Sequence, residues 1–223
     1  MIPRAIKRLL YSATLNDPSY RFLFQPGPPD EVVVFDCETT GLHVRHDDII
    51  TIAAIRVRGN RILTSERFEA VVRPKAQMNI DAIKVHRLRE MDVAEGNDVR
   101  AVIPKFLHFI GGRPLVGYYV DFDVRMMDKY VRSLIGIELP NKLIEVSRLY
   151  YDRKYGNAPP GTTVDLSFQA ILGDLDLPRL DQHDAFNDAL MTAMMYLRLR
   201  DLQERGVHIP RRRQVDRPQT TIA

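Results

Sequence analysis

A short apolar segment that ends in two acidic residues constrains this chain more than any other feature. Residues 31–35 read Glu-Val-Val-Val-Phe and predict a buried β-strand, which Asp36 and Glu38 follow directly. Because strand side chains alternate, both carboxylates lie on one face and Cys37 lies on the other. Two neighbouring carboxylates that lose hydration repel each other unless a cation lies between them. The pattern therefore predicts a metal site or, since Thr39-Thr40-Gly41 follows, a turn.

Two further acids and one histidine stand where a functional role competes with a structural one. Asp123 follows a predicted strand and begins a predicted helix, so it is either a functional acid or a helix N-cap. Asp188 lies in a predicted helix that is apolar on nearly all faces, so it needs a partner. That partner is either a metal ion or one of the chain's arginines. His183 stands five residues before Asp188, and its alternative is an ordinary packed or surface histidine.

Together these side chains fit one chemistry. Four carboxylates could hold two divalent ions roughly 4 Å apart, which stabilise the attacking and leaving oxygens of a phosphoryl displacement. Carboxylate and water ligands select Mg²⁺ or Mn²⁺ over softer metals. A neutral histidine beside them can take a proton from the attacking water, because its reference pKa near ~6.5 lies close to neutral pH.

The remaining pattern predicts one mixed α/β domain. Strands come first as a meander, with a hairpin signal at Gly59-Asn60, and then strands and helices alternate. After residues 31–35, the predicted strands are 49–57, 61–72, 114–119 and 143–149. The predicted helices are a short one within 79–92, then 99–110, one around 124–135, 164–172 and 185–202. We expect an N-terminal basic amphipathic appendage over 1–25, the domain over 26–205 and a basic tail over 206–223.

The charge distribution separates the ends of the chain from its middle. The net charge is +3 over 223 residues. Residues 1–25 carry four Lys or Arg against one Asp, and residues 198–223 carry seven Arg against three acids, which leaves −4 for residues 26–197. The basic character therefore belongs to the ends, where Arg211-Arg-Arg213 either contacts phosphates or is a solvated tail.

Several protein classes are excluded by composition. One cysteine excludes a disulfide framework and a cysteine-rich zinc site, and it fits a reducing, cytoplasmic location. No apolar stretch approaches the ~20 residues that cross a bilayer, so we expect no membrane partner. The first sixteen residues, which place apolar side chains on one helical face, are either a targeting or membrane-surface helix or a short helix packed on the body. The lack of Ser and Arg enrichment favours packing.

Three segments resemble the motifs of a known family. Phe35-Asp-Cys-Glu-Thr-Thr-Gly-Leu42 resembles the first motif of the DnaQ-like (DEDDh) 3′–5′ exonucleases, the group of the proofreading epsilon subunit of bacterial DNA polymerase III. Phe122-Asp123 is similar to the second motif, and His183-Asp-Ala-Phe-Asn-Asp188-Ala189 to the third. Their order and separations agree across residues 31 to about 200.

The resemblance implies a ribonuclease H-like fold, a mixed sheet flanked by helices, with two Mg²⁺ or Mn²⁺ ions. It implies release of nucleoside monophosphates from single-stranded DNA or RNA 3′ ends, and it makes a DNA polymerase a candidate partner. The oligomeric state stays open. The implied metal ligands are Asp36, Glu38, Asp123 and Asp188, the implied general base is His183, and the implied contacts to the terminal nucleotide are Thr39, Thr40 and Leu42.

Two segments depart from the family pattern. Gly117-Tyr118-Tyr119 stands where the family often has Gly-His-Asn, and Val85-His86-Arg87 replaces a more usual His-Gly pair. One of the two tyrosines could stack a base, since adjacent strand residues point to opposite faces, but core packing of both is favoured. The alternatives to an exonuclease are a non-catalytic nucleic-acid-binding or scaffold module, an endonuclease, and a hydrolase of small phosphorylated molecules.

Overall fold

Five strands form one mixed sheet in this computed structural model, which describes residues 10–211 apart from the side chains of Val85 and Glu90. The strand order is β3-β2-β1-β4-β5. Strands β1, β2 and β3 are antiparallel neighbours, whereas β4 pairs in parallel with β1 and with β5. Their bounds are β1 Glu31–Thr39, β2 Ile49–Arg58, β3 Arg61–Val71, β4 Leu115–Gly117 and β5 Leu143–Glu145.

Seven helices accompany the sheet within the described residues. Their bounds are α1 Ile80–His86, α2 Glu90–Val93, α3 Val99–Ile110, α4 Val120–Ile135, α5 Val146–Lys154, α6 Phe168–Asp174 and α7 Ala185–Glu204. A 3₁₀ helix, Pro18–Phe24, precedes β1, and residues 10–14 are also helical. None of the helices in the described part of the chain is both long and apolar enough to cross a membrane.

Helices cover both faces of the sheet, and the alternation along β1 decides which residues meet which helices. Val33, Phe35 and Cys37 pack in one apolar cluster with α3 and α4. Val32 and Val34 pack in the other cluster, with α5, α6 and α7. The even-numbered residues of β1 therefore face α7, which places the next two, Asp36 and Glu38, on the same side.

The segments that precede the sheet pack against the body. Leu23 of the 3₁₀ helix is fully buried in the cluster with α3 and α4. The Tyr11 hydroxyl donates to Glu138 Oε2 at 2.7 Å, so residues 10–14 also contact the body. The expected helix over the first sixteen residues lies mostly in 1–9, outside the described residues, as do Arg212 and Arg213 of the basic tail. The boundaries at residues 25 and 205 stay predictions.

Several predicted elements differ from the structure. The strand expected over 114–119 ends at Gly117, so Tyr118 and Tyr119 lie outside it. The strand expected over 143–149 ends at Glu145, and helix α5 begins at Val146. The helix expected from residue 164 begins only at Phe168, because Ser167 is its N-cap and its side chain accepts from the Ala170 N–H. The Gly59-Asn60 hairpin and helix 99–110 are confirmed.

Candidate active site

The acid pair belongs to a strand rather than to a turn. Strand β1 continues through Thr39, with Asp36 opposite Ala53 and Glu38 opposite Thr51 of β2. The alternative interpretation of the pair as a turn is therefore wrong. Cys37 lies buried on the other face, away from both carboxylates.

Helix α7 brings a third carboxylate to this pair. Carboxylate oxygens of Asp36, Glu38 and Asp188 lie within 4.8 Å of one another. Among residues 10–211, no arginine or lysine forms a salt bridge with any of the three, so no arginine of this range is the partner of Asp188. Three converging carboxylates without a protein cation fit a divalent metal ion.

Asp123 lies beside this three-carboxylate cluster but is not one of its members. It is the fourth residue of α4 and is only 4% exposed. Its interpretation as the N-cap is wrong, because the N-cap position is Tyr119 and the capping oxygens come from β5. Glu145 accepts from the N–H groups of Tyr119 at 3.0 Å and Val120 at 2.9 Å.

Burial and mutual repulsion disfavour the ionised form of these acids. Burial raises the pKa of Asp36 well above its usual value, and the charges of Asp123, Glu38 and Asp188 raise it further. Burial also raises the pKa of Glu38 to about 7, with the charge of Asp188 adding to it. Burial likewise raises the pKa of Asp123 well above its usual value, although a hydrogen bond from the Cys37 backbone opposes the shift. A bound divalent cation would reverse this preference.

His183 is held next to the cluster by its backbone. Its N–H donates to Asp188 Oδ2 at 2.9 Å, and its φ of 66° turns the chain just before α7. Asp184, the N-cap of α7, accepts from the Asn187 N–H at 2.9 Å. His183 is exposed, so its imidazole is open to solvent.

His86 is buried and lines the same region, although the sequence pattern predicted no role for it. The Leu88 N–H donates to His86 Nδ1 at 3.0 Å, so the neutral ring carries its proton on Nε2. That nitrogen is buried and has no partner among the described residues. A cavity of about 350 Å³ contacts His86, His183, Glu38 and Thr51. Burial, followed by the charge of His183, lowers the pKa of His86.

Comparison with known proteins decides the family. The model of the RNase_T exonuclease family matches residues 33–196. This chain belongs to the RNase_T exonuclease family. The match spans β1 to α7 and includes every acid of the site, so the expectation of a DnaQ-like exonuclease is confirmed.

Two relatives of this chain are bacterial DNA polymerase III proteins. A PolC-type DNA polymerase III of Caldanaerobacter subterraneus subsp. tengcongensis is 31% identical over 182 residues, which is 79% of this chain and 12% of that protein. The chain thus spans about an eighth of such polymerases. The DNA polymerase III epsilon subunit of Aquifex aeolicus is 28% identical over 167 residues, which is 75% of this chain and 79% of that protein.

Two solved structures share the fold of this chain. Exonuclease X in complex with 5′ overhanging duplex DNA matches with a TM-score of 0.60 and 24% identity over 80% of this chain and 95% of that one. E. coli Exonuclease I with a dT13 oligonucleotide matches with a TM-score of 0.66 and 18% identity, over 79% of this chain and 42% of that one. The expected ribonuclease H-like mixed sheet flanked by helices is confirmed.

The residues expected to contact a terminal nucleotide differ in their solvent exposure. Thr39 Oγ1 donates to the Gly41 carbonyl at 2.7 Å, and Thr40 Oγ1 donates to Asp47 Oδ1 at 3.1 Å. Both threonines are buried and hold the loop after β1, whereas Leu42 is 85% exposed. Their contacts with a nucleotide stay predictions.

The two tyrosines that precede the second motif separate into a packed and an exposed residue. Tyr118 donates its hydroxyl to the Leu166 carbonyl at 2.9 Å and packs edge-on against Phe168, as expected for core packing. Tyr119 is 54% exposed, so core packing is the wrong interpretation for this residue.

Proposed function

We propose that this exonuclease is a metal-dependent 3′–5′ enzyme that releases nucleoside monophosphates from single-stranded DNA or RNA ends. The observation that carries the proposal is the cluster of Asp36, Glu38 and Asp188, whose oxygens lie within 4.8 Å of one another without a protein cation among the described residues. Two divalent ions, Mg²⁺ or Mn²⁺, would stabilise the attacking and leaving oxygens of a phosphoryl displacement when bound. The three carboxylates, with Asp123 beside them, would hold those ions.

The protein's own residues would position and activate the attacking water. The imidazole of His183 would accept a proton from that water as general base. The backbone N–H of His183 donates to Asp188 at 2.9 Å, and this hydrogen bond holds the loop that carries the imidazole beside the carboxylate cluster. The water would then lose its proton to His183 beside the carboxylates that would hold the metal ions.

The relatives support the choice of substrate and partner. Exonuclease X and Exonuclease I are seen with DNA, and the second complex contains a dT13 oligonucleotide, so single-stranded DNA is the first substrate to test. The epsilon relative is a subunit of DNA polymerase III, which supports a DNA polymerase as the partner. Side-by-side assays of DNA, long RNA, and RNA di- to pentanucleotides would rank the substrate classes.

The test is degradation of a 5′-labelled single-stranded oligonucleotide with Mg²⁺ or Mn²⁺. We expect a ladder that shortens from the 3′ end, and a parallel 3′-labelled oligonucleotide should release labelled mononucleotide from the first time point. His183→Ala should lower kcat by about 10²–10⁴-fold, as loss of a general base does. Asp188→Asn should abolish cleavage, while Asp201→Asn, at the far end of α7, should leave it unchanged.

Three results would contradict the proposal. Robust cleavage by Asp188→Asn and His183→Ala would remove the proposed mechanism. Internal fragments before mononucleotides would indicate an endonuclease. Metal-independent binding of the oligonucleotide without any cleavage would indicate a non-catalytic binding module.

A further inference from the structure

Tyr119 places an exposed aromatic ring at the sheet edge that also carries Asp36. Strands β1 and β4 run in parallel, with Val34 opposite Val116, so the residues that follow each pair reach the same edge of the sheet. Asp36 is two residues beyond Val34, and Tyr119 is three residues beyond Val116. The Phe122 N–H donates to the Tyr119 carbonyl at 2.9 Å, which starts the helical turn that carries Asp123.

The backbone of Tyr119 is in a conformation that a tyrosine rarely adopts. Its φ of 56° and ψ of 38° are left-handed, where glycine and asparagine are favoured and a bulky side chain is strained. The Glu145 carboxylate holds this conformation by accepting from the N–H groups of Tyr119 and Val120. A tyrosine here costs folding free energy, and such strain concentrates at functional sites.

The ring is supported from one side and exposed over much of its surface. The ring centroids of Tyr119 and Tyr118 lie 4.4 Å apart, and those of Tyr118 and Phe168 lie 5.0 Å apart. Tyr118 is fixed by its hydrogen bond to the Leu166 carbonyl. Tyr119 therefore rests on an anchored ring while remaining 54% exposed, which is the arrangement of a stacking platform.

We propose that Tyr119 stacks against one nucleobase of the strand that enters the site, a contact that rests on the proposed function. Stacking on an aromatic ring tolerates any sequence, because every base has a π-face. The ring would thereby position the strand without reading its sequence. Tyr119 would act on binding rather than on the chemical step.

Two substitutions separate the ring from the backbone. Tyr119→Asn removes the ring and keeps a residue that tolerates the left-handed conformation. Tyr119→Phe keeps the ring and removes only the hydroxyl. We expect Tyr119→Asn to weaken oligonucleotide binding about 5- to 100-fold and raise KM similarly, with kcat little changed. Tyr119→Phe should stay within about threefold of the parent protein, as should Leu134→Ala at the other end of α4.

Binding of abasic oligonucleotides tests the stacking contact itself. Fluorescence anisotropy in Ca²⁺ would measure single-stranded oligonucleotides with one abasic nucleotide at successive positions from the 3′ end. When the abasic nucleotide is at the stacked position, the affinity of the parent protein should fall to that of Tyr119→Asn for the intact strand. The affinity of Tyr119→Asn should not fall further with that oligonucleotide. Equal abasic penalties in both proteins at every position would overturn the proposal. The binding assay does not depend on cleavage. A protein that binds the oligonucleotide but does not cleave it would contradict the proposed function, and the abasic comparison would still test the stacking contact.

Discussion

At the scale of single residues, Arg87 carries a backbone strain that a substitution can release. It ends α1 with a φ of 59°, and its N–H donates to the Ile83 carbonyl at 2.8 Å. Glycine is the usual residue in this left-handed position after a helix, since it has no Cβ to clash. The arginine costs about 1–2 kcal/mol there.

We expect Arg87→Gly to stabilise the protein by about 0.5–1 kcal/mol, because the greater freedom of glycine in the unfolded chain offsets part of the released strain. Thermal unfolding should show a rise of about 2–4 °C per kcal/mol for a chain of this size. Lys84→Gly, inside the same helix, is the matched control and should lower stability by about 1 kcal/mol. An equal loss in both variants would show that Arg87 is not strained.

The site residues differ in how far the sequence could predict them. Strand alternation was sufficient for Asp36 and Glu38, because two strand residues separated by one intervening residue share a face whatever the rest of the fold does. The position of Asp123 in its helix was not predictable, because the cap of that helix comes from Glu145, 25 residues away from Val120. The exposure of Tyr119 has the same origin, since a side chain distant in sequence fixes its backbone.

At the scale of elements, one buried carboxylate joins three strands. Glu31, the first residue of β1, is 3% exposed. Its side chain accepts from Arg58, the last residue of β2, at 2.7 Å, and from Arg113, which lies two residues before β4. Burial alone would raise the pKa of Glu31, but the hydrogen bonds from Arg113 and Arg58 hold it below its usual value.

Glu31→Gln should destabilise the protein by about 2–3 kcal/mol at neutral pH, because it removes charged hydrogen bonds and leaves Arg113 unpaired. The lowered pKa means that this stabilisation is fully present above the unfolded value near ~4.3 and is lost as the pH falls through the folded value. Chemical denaturation from pH 7 to pH 3 should therefore show that the difference in free energy of unfolding between the parent protein and Glu31→Gln becomes smaller in acid. A difference that stays constant over this range would contradict the assignment. The matched control is Glu66→Gln, a more exposed partner of Arg58, which should cost about 0–1 kcal/mol.

The elements were predictable where a pattern was long and not where it was short. The β2–β3 hairpin and helix α3 follow from long periodic runs with clear end signals. Residues 143–149 form a short segment that mixes apolar and polar residues, for which strand and helix cannot be separated by periodicity. The structure divides it at Glu145, whose carboxylate accepts from the Ser147 N–H at 3.0 Å and so begins α5.

At the scale of the whole molecule, the fold gathers negative charge from separate elements into one place. The carboxylates of Asp36 and Glu38 come from β1, that of Asp123 from α4 and that of Asp188 from α7. Their convergence was not predictable from net charge, which only showed that residues 26–197 sum to −4. Burial and mutual repulsion disfavour the ionised form of these carboxylates. We therefore expect the stability of the protein to depend on pH and on metal binding.

Glu38→Gln should make the metal-free protein more stable at neutral pH, by about 1–3 kcal/mol, because it removes a buried charge that like charges surround. The pKa of Glu38 is about 7 in the folded state and near ~4.3 when unfolded, so the folded state binds more protons between these values. Stability of the parent protein should then fall as pH rises from about 4.3 to 7, relative to Glu38→Gln, and the full difference should persist above 7. Thermal unfolding in EDTA from pH 5 to pH 8 would measure this difference, and Mg²⁺ should raise the melting temperature of the parent protein alone. A pH-independent difference, or an equal response of both proteins to Mg²⁺, would show that Glu38 neither titrates in the fold nor binds the metal.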